Sequence, residues 1–180
     1  MDRALTSPLF AQVLGSSFET LAPAVRALHS VAGSGLYQGR ADIRRGEHWL
    51  VPLLAWAARL PRNHLDLPTS VHFHADAQGE RWSRRFGDHP LRSRLWIQQE
   101  RLREHFGTVC IEFDLHAEQG ALHWRARRAW LAGVVPLPAR WFAGATSREH
   151  ERDGRYAFDV AMTLPWIGPF IRYEGWLEPS

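Results

Sequence analysis

The chain has 180 residues, of which 45% are hydrophobic and 23% charged, with a formal net charge of +3, as expected for one globular domain. All 22 basic residues are arginine, which excludes a Schiff-base lysine, a P-loop lysine and a lysine general base. A single cysteine, Cys110, excludes an internal disulfide and a cysteine-based zinc cluster.

No segment of the sequence reads as a targeting or membrane signal. The N-terminus lacks the apolar run of a signal peptide, and the most apolar segment, 49–60, is shorter than the ~20 residues of a transmembrane helix. The pI of 9.7 is high, but the arginines are spread along the chain, so a nucleic-acid partner is not favoured. We expect a soluble, cytoplasmic protein with a single domain over 1–180.

Residues 1–33 form a predicted helical lead-in, followed by a first strand over 34–46. Ser7-Pro8 has the pattern of a helix start, and "FETLAPAVRALHSV" predicts a second helix that ends near Gly33. The glycines of "AGSGLYQGRADI" resemble a dinucleotide-binding loop, but they follow a helix and precede a strand, the reverse of the order that such a loop requires. We therefore expect a structural turn here and no cofactor.

The segment "EHWLVPLLAWAARLP" predicts a helix over 47–60. It is apolar on nearly every face, which is typical of a buried helix, and Trp56 is one of its largest apolar groups. We expect this helix to be buried in the core.

From residue 69 to 178 the apolar period changes from 3.6 to 2. About nine strands follow one another, joined mostly by short turns, which predicts an antiparallel meander with one apolar face. A long one-sided sheet tends to curl. The expected fold is therefore α+β: N-terminal helices and a buried helix 47–60 packed on a curled barrel or half-barrel.

Alternation along the strands places charged residues on the apolar face. Arg84 lies between Trp82 and Phe86, Glu104 between Leu102 and Phe106, and Arg128 between Ala126 and Trp130. By the same alternation, Trp82, Ser93 and Trp124 also point inward. Burial of charge is costly unless the charge is paired, so these residues predict a polar centre inside the sheet.

Two interpretations of this centre remain open. It could bind the carboxylate or phosphate of an amphipathic small molecule, since two arginines face one glutamate. It could also be a structural ion pair that fixes strand register, and a β-bulge could move any of its members outside.

Other polar groups predict solvated strand faces rather than sites. His72 and His74 have a spacing that some metal sites use, but they lie opposite the apolar face and no third ligand is assigned. Glu112, Asp114 and His116 likewise share a polar face, and Cys110 faces away from the core. We assign no catalytic residue and no metal ligand.

The segments "ERWSRRFGDHPLRSRL", "EHFGTVCIEFDL", "GALHWRARRAWLAGVVPLP" and "EHERDGRYAFDVAMTLPWIGPFIRYEGWLEP" together resemble a bacterial family known as domain of unknown function 4166. The resemblance runs from about residue 8 to the end. Members of the family stand alone or are joined to a saccharopine-dehydrogenase-like domain or a short membrane domain. The resemblance implies an accessory or ligand-binding role and supplies no catalytic residues.

The favoured hypothesis is non-catalytic binding of an apolar or amphipathic small molecule, which could be anionic, in a barrel lumen. The first alternative is an interaction module for an oxidoreductase or membrane partner, with a filled interior and a functional outer surface. The second alternative is an enzyme that uses Glu104 and Arg84 as acid–base and anion-holding groups.

Overall fold

The computed structural model describes residues 7–57 and 60–180. The helices are α1 (Leu9–Leu14), a 3₁₀ helix (Gly15–Thr20), α2 (Pro23–Leu28), α3 (Val51–Ala57) and a short 3₁₀ helix (Ala139–Trp141). The strands are β1 (Ser34–Arg45), β2 (His64–Asp76), β3 (Gly79–Phe86), β4 (His89–Gln98), β5 (Arg101–Phe106), β6 (Val109–Glu118), β7 (Ala121–Leu131), β8 (Val135–Pro136), β9 (Gly144–Arg152), β10 (Arg155–Leu164) and β11 (Gly168–Pro179).

Ten of these strands close into an antiparallel barrel. Neighbours follow chain order from β1 to β7, then β9, β10 and β11, and β11 pairs back onto β1. The short β8 pairs with β7 outside this ring. The predicted curled antiparallel sheet is confirmed as a closed barrel, with more strands than expected because β1 completes the ring. Strand β2 also starts at His64, five residues before the predicted start of the meander at residue 69.

Two-residue turns explain the hairpin connections at one end of the barrel. Gln119-Gly120 and Asp153-Gly154 each have two successive residues with positive φ, between 50° and 78°. This is the conformation of the type I′ turn, whose twist matches that of paired strands. The short turns fix the register of the β6–β7 and β9–β10 pairs.

The N-terminal helices cover that same end, which we call the capped end. Phe10 of α1 and Val25 of α2 are 0% exposed. The backbone N–H of Ala22 donates to the carbonyl of Gly120 at 2.8 Å, and the N–H of Ala24 donates to the Glu151 carboxylate at 2.8 Å. The predicted helical lead-in is therefore the plug of the barrel, although residues 1–6 lie outside the described residues.

The opposite end, which we call the rim end, contains α3, the turns at 87–88 and 107–108, the β7–β9 connection and the β10–β11 turn. The prediction of a buried helix over 47–60 is wrong. Helix α3 is seven residues long, and only one face packs on the barrel, through Val51 and Ala55, each 1% exposed. Trp56 on the opposite face is 76% exposed. A helix of two turns on the outside of a barrel can bury only one face, even when its other faces are apolar. Residues 58 and 59 of the predicted helix lie outside the described residues.

Candidate functional site

The barrel interior differs between its two ends. On β4 and β5, Leu95 and Leu102 are 0% exposed towards the capped end. On the same strands towards the rim end, Leu91 and Phe106 are only partly buried. Solvent therefore reaches some apolar side chains of the inner face in the rim half, although Ile43 and Phe86 in that half are 1% and 4% exposed and Ile97 in the capped half is itself only partly buried. Other partly buried apolar residues that pack inside this half are Val160, Met162 and Leu164, whereas the partly buried Phe113 lies opposite Leu102.

An ion pair lies on the inner face between these two halves. The Arg84 guanidinium on β3 donates to the Glu104 carboxylate on β5 at 2.9 Å and to the Ser93 hydroxyl on β4 at 2.8 Å. The side chain of Arg84 is 15% exposed and that of Glu104 is 10% exposed. Arg84 also lies over the Trp82 ring, 4.6 Å from its centroid. The structure therefore brings together Trp82, Arg84, Ser93 and Glu104.

The pKa of Arg84 reflects two opposing effects. Burial is the largest single effect and disfavours the charged guanidinium, but the charge and hydrogen bond of Glu104, together with Tyr173 and Tyr156, outweigh burial and raise the pKa of Arg84 above its ordinary value. Arg84 is therefore a permanent cation. Because Glu104 balances that charge, the pair offers hydrogen-bonding atoms rather than an excess of positive charge.

The prediction that Arg128 points inward is wrong. The β6–β7 register shifts at this point: Glu112 lies opposite Arg128, whereas Phe113 lies opposite Ala126. Strand β7 therefore carries an extra residue, Arg127, in a β-bulge, and Arg128 is exposed outside the barrel. The polar centre keeps one arginine of the two that alternation predicted.

Trp124 lies at the packed side of the same interior. Its ring is 6.1 Å from that of Trp82 and 5.3 Å from that of Phe10, measured between centroids. The Trp82 indole N–H donates to the Glu80 carboxylate at 2.7 Å, whereas the buried Trp124 Nε1 has no hydrogen-bond partner among the described residues. Trp124 thus presents an unsatisfied donor to the interior.

A second buried polar group, which the sequence did not reveal, joins the plug to the barrel. His29 at the end of α2 lies 2.5 Å from Glu149 on β9, between His29 Nε2 and a carboxylate oxygen, with side chains 0% and 5% exposed. Burial raises the pKa of the Tyr156 hydroxyl well above its ordinary value, and the nearby Glu149 adds to this effect. Burial also raises the pKa of Tyr173 to about 12, against a lowering effect of Arg84. Both tyrosines are neutral hydrogen-bonding groups at neutral pH.

No simple alternation could have identified Glu149. The inner face of β9 carries Ala145, Ser147, Glu149 and Glu151, so it has no large apolar residue to mark it as inward. His29 lies 120 residues away in sequence. The available signal was the apolar face of α2, where His29 follows the buried residues Val25 and Leu28.

The histidines of the outer surface come closest to a metal-binding arrangement. His116, Glu118 and His123 have ligand atoms that all lie within 4.8 Å of one another, and the two rings stack at 4.8 Å. Burial, His116 and Arg148 lower the pKa of His123, which keeps its imidazole neutral. The adjacent Arg148 also opposes a bound cation, so we assign no metal to this group. In the other histidine pair considered for a metal, His72 and His74, the Nδ1 atom of His74 lies 3.0 Å from the Ser34 hydroxyl.

These features define a plugged antiparallel β-barrel with a half-accessible inner wall and a balanced ion pair on that wall. A family model described as "Domain of unknown function (DUF4166)" matches residues 21–177, and the chain belongs to this family. No curated protein matches the chain. Among the described helices, none is long and apolar enough to cross a membrane.

Proposed function

We propose that the barrel binds an apolar or amphipathic small molecule without chemical conversion. The observation that carries this proposal is the partial exposure of apolar side chains on the inner wall of the rim half, such as Leu91, Phe106 and Met162. Apolar side chains that face inward yet remain accessible to solvent gain stability when a ligand covers them. The ligand enters at the rim end, because the N-terminal helices occupy the capped end.

The ion pair is the polar end of this proposed site. Arg84, Ser93 and Glu104 lie between the partly exposed apolar side chains and the buried core. The Tyr173 hydroxyl is close enough to Arg84 for the guanidinium charge to lower its pKa. Because Glu104 already balances Arg84 and Arg128 is outside, these groups favour a neutral head group that accepts and donates hydrogen bonds. A carboxylate would compete with Glu104 for the same guanidinium.

Native mass spectrometry of the purified protein and thermal shifts with added ligands test the proposal. A long-chain fatty alcohol should raise the melting temperature of the parent at least as much as the fatty acid of equal length. A clean apo mass together with no shift from either ligand would contradict binding in the lumen. A shift from the acid alone would contradict the assignment of a neutral head group.

A matched pair of double variants locates the site. Arg84→Met with Glu104→Leu replaces the inner pair by apolar groups, a change that buried ion pairs often tolerate without loss of stability. The control, Arg103→Met with Glu112→Leu, replaces a pair on the outer face with the same N–O distance of 2.9 Å. The inner variant should lose the preference for ligands with a polar head, whereas the outer variant should behave as the parent.

An interaction module is the second candidate, and the rim end favours it. Large apolar side chains are exposed there, including Trp49 at 78% and Trp166 at 80%. An enzyme built on Glu104 is less favoured, because Arg84 already holds the carboxylate that would exchange protons with a substrate.

A further inference from the structure

The exposed apolar side chains of the described chain are concentrated at one end of the barrel. Ten large hydrophobic residues are exposed, and nine of them lie at the rim end; Leu36 is the exception. They come from three separate connections: the α3 connection, the β7–β9 connection and the β10–β11 turn. The nine are Trp49, Leu53, Trp56, Leu65, Leu131, Val134, Val135, Trp141 and Trp166.

The turns of the capped end have a different chemistry. They are made of small and polar residues, at 77–78, 99–100, 119–120 and 153–154. A single exposed leucine is ordinary on a protein surface, but a cluster of exposed tryptophans marks a surface that another partner covers. The rim residues are therefore a contact surface rather than a by-product of composition.

The charge around the α3 connection indicates the kind of partner. Residues 44–64, which include the last two residues of β1, contain four arginines and one glutamate, a net charge of 4 − 1 = +3. One of these arginines, Arg45, donates to the backbone carbonyls of Leu60 and Pro61. The Arg44 side chain is 63% exposed, and Arg140 lies over the Trp166 ring at 5.6 Å from its centroid. Cations beside exposed tryptophans complement a surface that is negative outside and apolar beneath.

We propose that the rim end docks onto a lipid bilayer that carries anionic headgroups. Tryptophan and arginine are both stable at the level of the headgroups, where the ring is buried and the charge stays in water. A bilayer also accepts side chains that project from three separate connections, because it has no fixed shape to match. Basic segments near an anionic surface each add to the attraction, and the attraction weakens with salt.

The location also connects the docking surface with the lumen. The partly exposed apolar side chains of the inner wall lie at the same end, so we expect an apolar ligand to pass between the bilayer and the barrel there without crossing water. This last argument rests on the proposed function, whereas the exposure and charge arguments do not. Ligand binding in solution and docking on vesicles are therefore separate measurements, and either can fail alone.

Sedimentation with vesicles tests the docking surface. We expect the purified protein to bind vesicles of equal parts phosphatidylcholine and phosphatidylglycerol, to bind phosphatidylcholine alone more weakly, and to release in high salt. Trp49→Ser with Trp56→Ser should weaken binding about tenfold or more, since both rings are largely exposed and contribute to the interface rather than to the core. Arg44→Gln with Arg62→Gln should weaken binding to the mixed vesicles alone.

A matched pair of leucines controls for general hydrophobicity. Leu53 at the rim end is 58% exposed and Leu36 near the capped end is 40% exposed. Leu53→Ser should reduce vesicle binding and Leu36→Ser should not, and thermal melts should show both variants folded. The proposal is overturned by no binding to either vesicle, by equal loss in both leucine variants, or by binding that ignores lipid charge and salt. If the parent forms a dimer and does not bind vesicles, and the double variant Trp49→Ser with Trp56→Ser is monomeric, the surface is a contact with a second copy instead.

Discussion

Two arginine–glutamate pairs lie on opposite sides of the same barrel wall and have nearly the same geometry. Arg84 and Glu104 are 2.9 Å apart on the inner face, and Arg103 and Glu112 are 2.9 Å apart on the outer face. Each guanidinium lies 4.6 Å from the centroid of a tryptophan ring, that of Trp82 inside and that of Trp130 outside. Both pairs have little exposure, with 15% and 10% for the inner side chains and 16% and 4% for the outer ones.

The two pairs differ in which strands of the sheet they join. The outer pair joins directly opposed residues of neighbouring strands β5 and β6. The inner pair joins β3 to β5 across the intervening strand β4, whose Ser93 accepts a hydrogen bond from Arg84. Inward side chains converge on the concave face of a barrel, so second-neighbour strands come into contact there. The two pairs therefore share a similar geometry, and only the inner pair faces the lumen of the barrel.

Removal of one acid from each pair should separate the two most strongly. Glu104→Ala leaves the Arg84 cation inside the barrel wall and should lower the free energy of unfolding by about 3–5 kcal/mol. Glu112→Ala should cost about 1–2 kcal/mol, because Arg103 keeps its hydrogen bond to Gln98 on the outer surface and can turn to solvent. Urea unfolding of both variants measures the difference.

Equal losses in the two variants would show that the outer pair is as isolated from water as the inner one. A loss below about 1 kcal/mol for Glu104→Ala would show that solvent reaches Arg84 freely, and that the inner pair is part of an open channel.

The same two pairs show how far the sequence could predict this molecule. Strict alternation in β3, β4 and β5 identified the inner face correctly at Arg84, Ser93 and Glu104, because the registers of these strands run without a shift. In β7 a bulge at Arg127 reverses the parity of the residues beyond it, so Arg128 and Trp130 point outward instead. Nothing in the letters "RARRAW" marks such a bulge.

The sequence also could not predict contacts between residues that are far apart in the chain. The ring closes only when β1 pairs with β11, and the His29–Glu149 contact depends on how α2 docks into the barrel. Apolar content predicted a helix near α3 but not its exposed face, since burial is decided by what lies beside a helix rather than by its own residues.

A further acid on the inner face, Glu80, sharpens the comparison, because it has no arginine partner among the described residues. Glu80 is 6% exposed and accepts a hydrogen bond from the Trp82 indole. Burial raises its pKa, against the lowering effects of that hydrogen bond and of His29. A carboxyl group with a raised pKa in the fold favours the protonated state, so its contribution to stability is largest below its unfolded pKa. That contribution is lost as the pH rises through the folded pKa.

We therefore expect Glu80→Gln, which keeps an acceptor for the indole, to stabilise the protein at pH 7 and to have less effect near pH 4. Thermal melts across that range, with Glu112→Gln as the control on the outer face, measure the difference. A stabilisation by Glu80→Gln that does not change with pH would mean that Glu80 does not titrate with the fold.

The smallest expected effect uses Cys110 as a reporter of the outer pair. The thiol was expected to be exposed, but it is 5% exposed on the outer face, opposite Trp130. Burial raises its pKa, Arg103 lowers it and Glu112 raises it. Because the thiolate is the reactive form, Glu112→Gln should lower the pKa of Cys110 and increase its rate of alkylation a few-fold near pH 8, while Arg103→Met should slow it. Glu104→Gln changes the inner pair and should leave the rate unchanged. If Glu104→Gln accelerates the reaction as much as Glu112→Gln, alkylation proceeds through unfolding and Cys110 does not sense the outer pair.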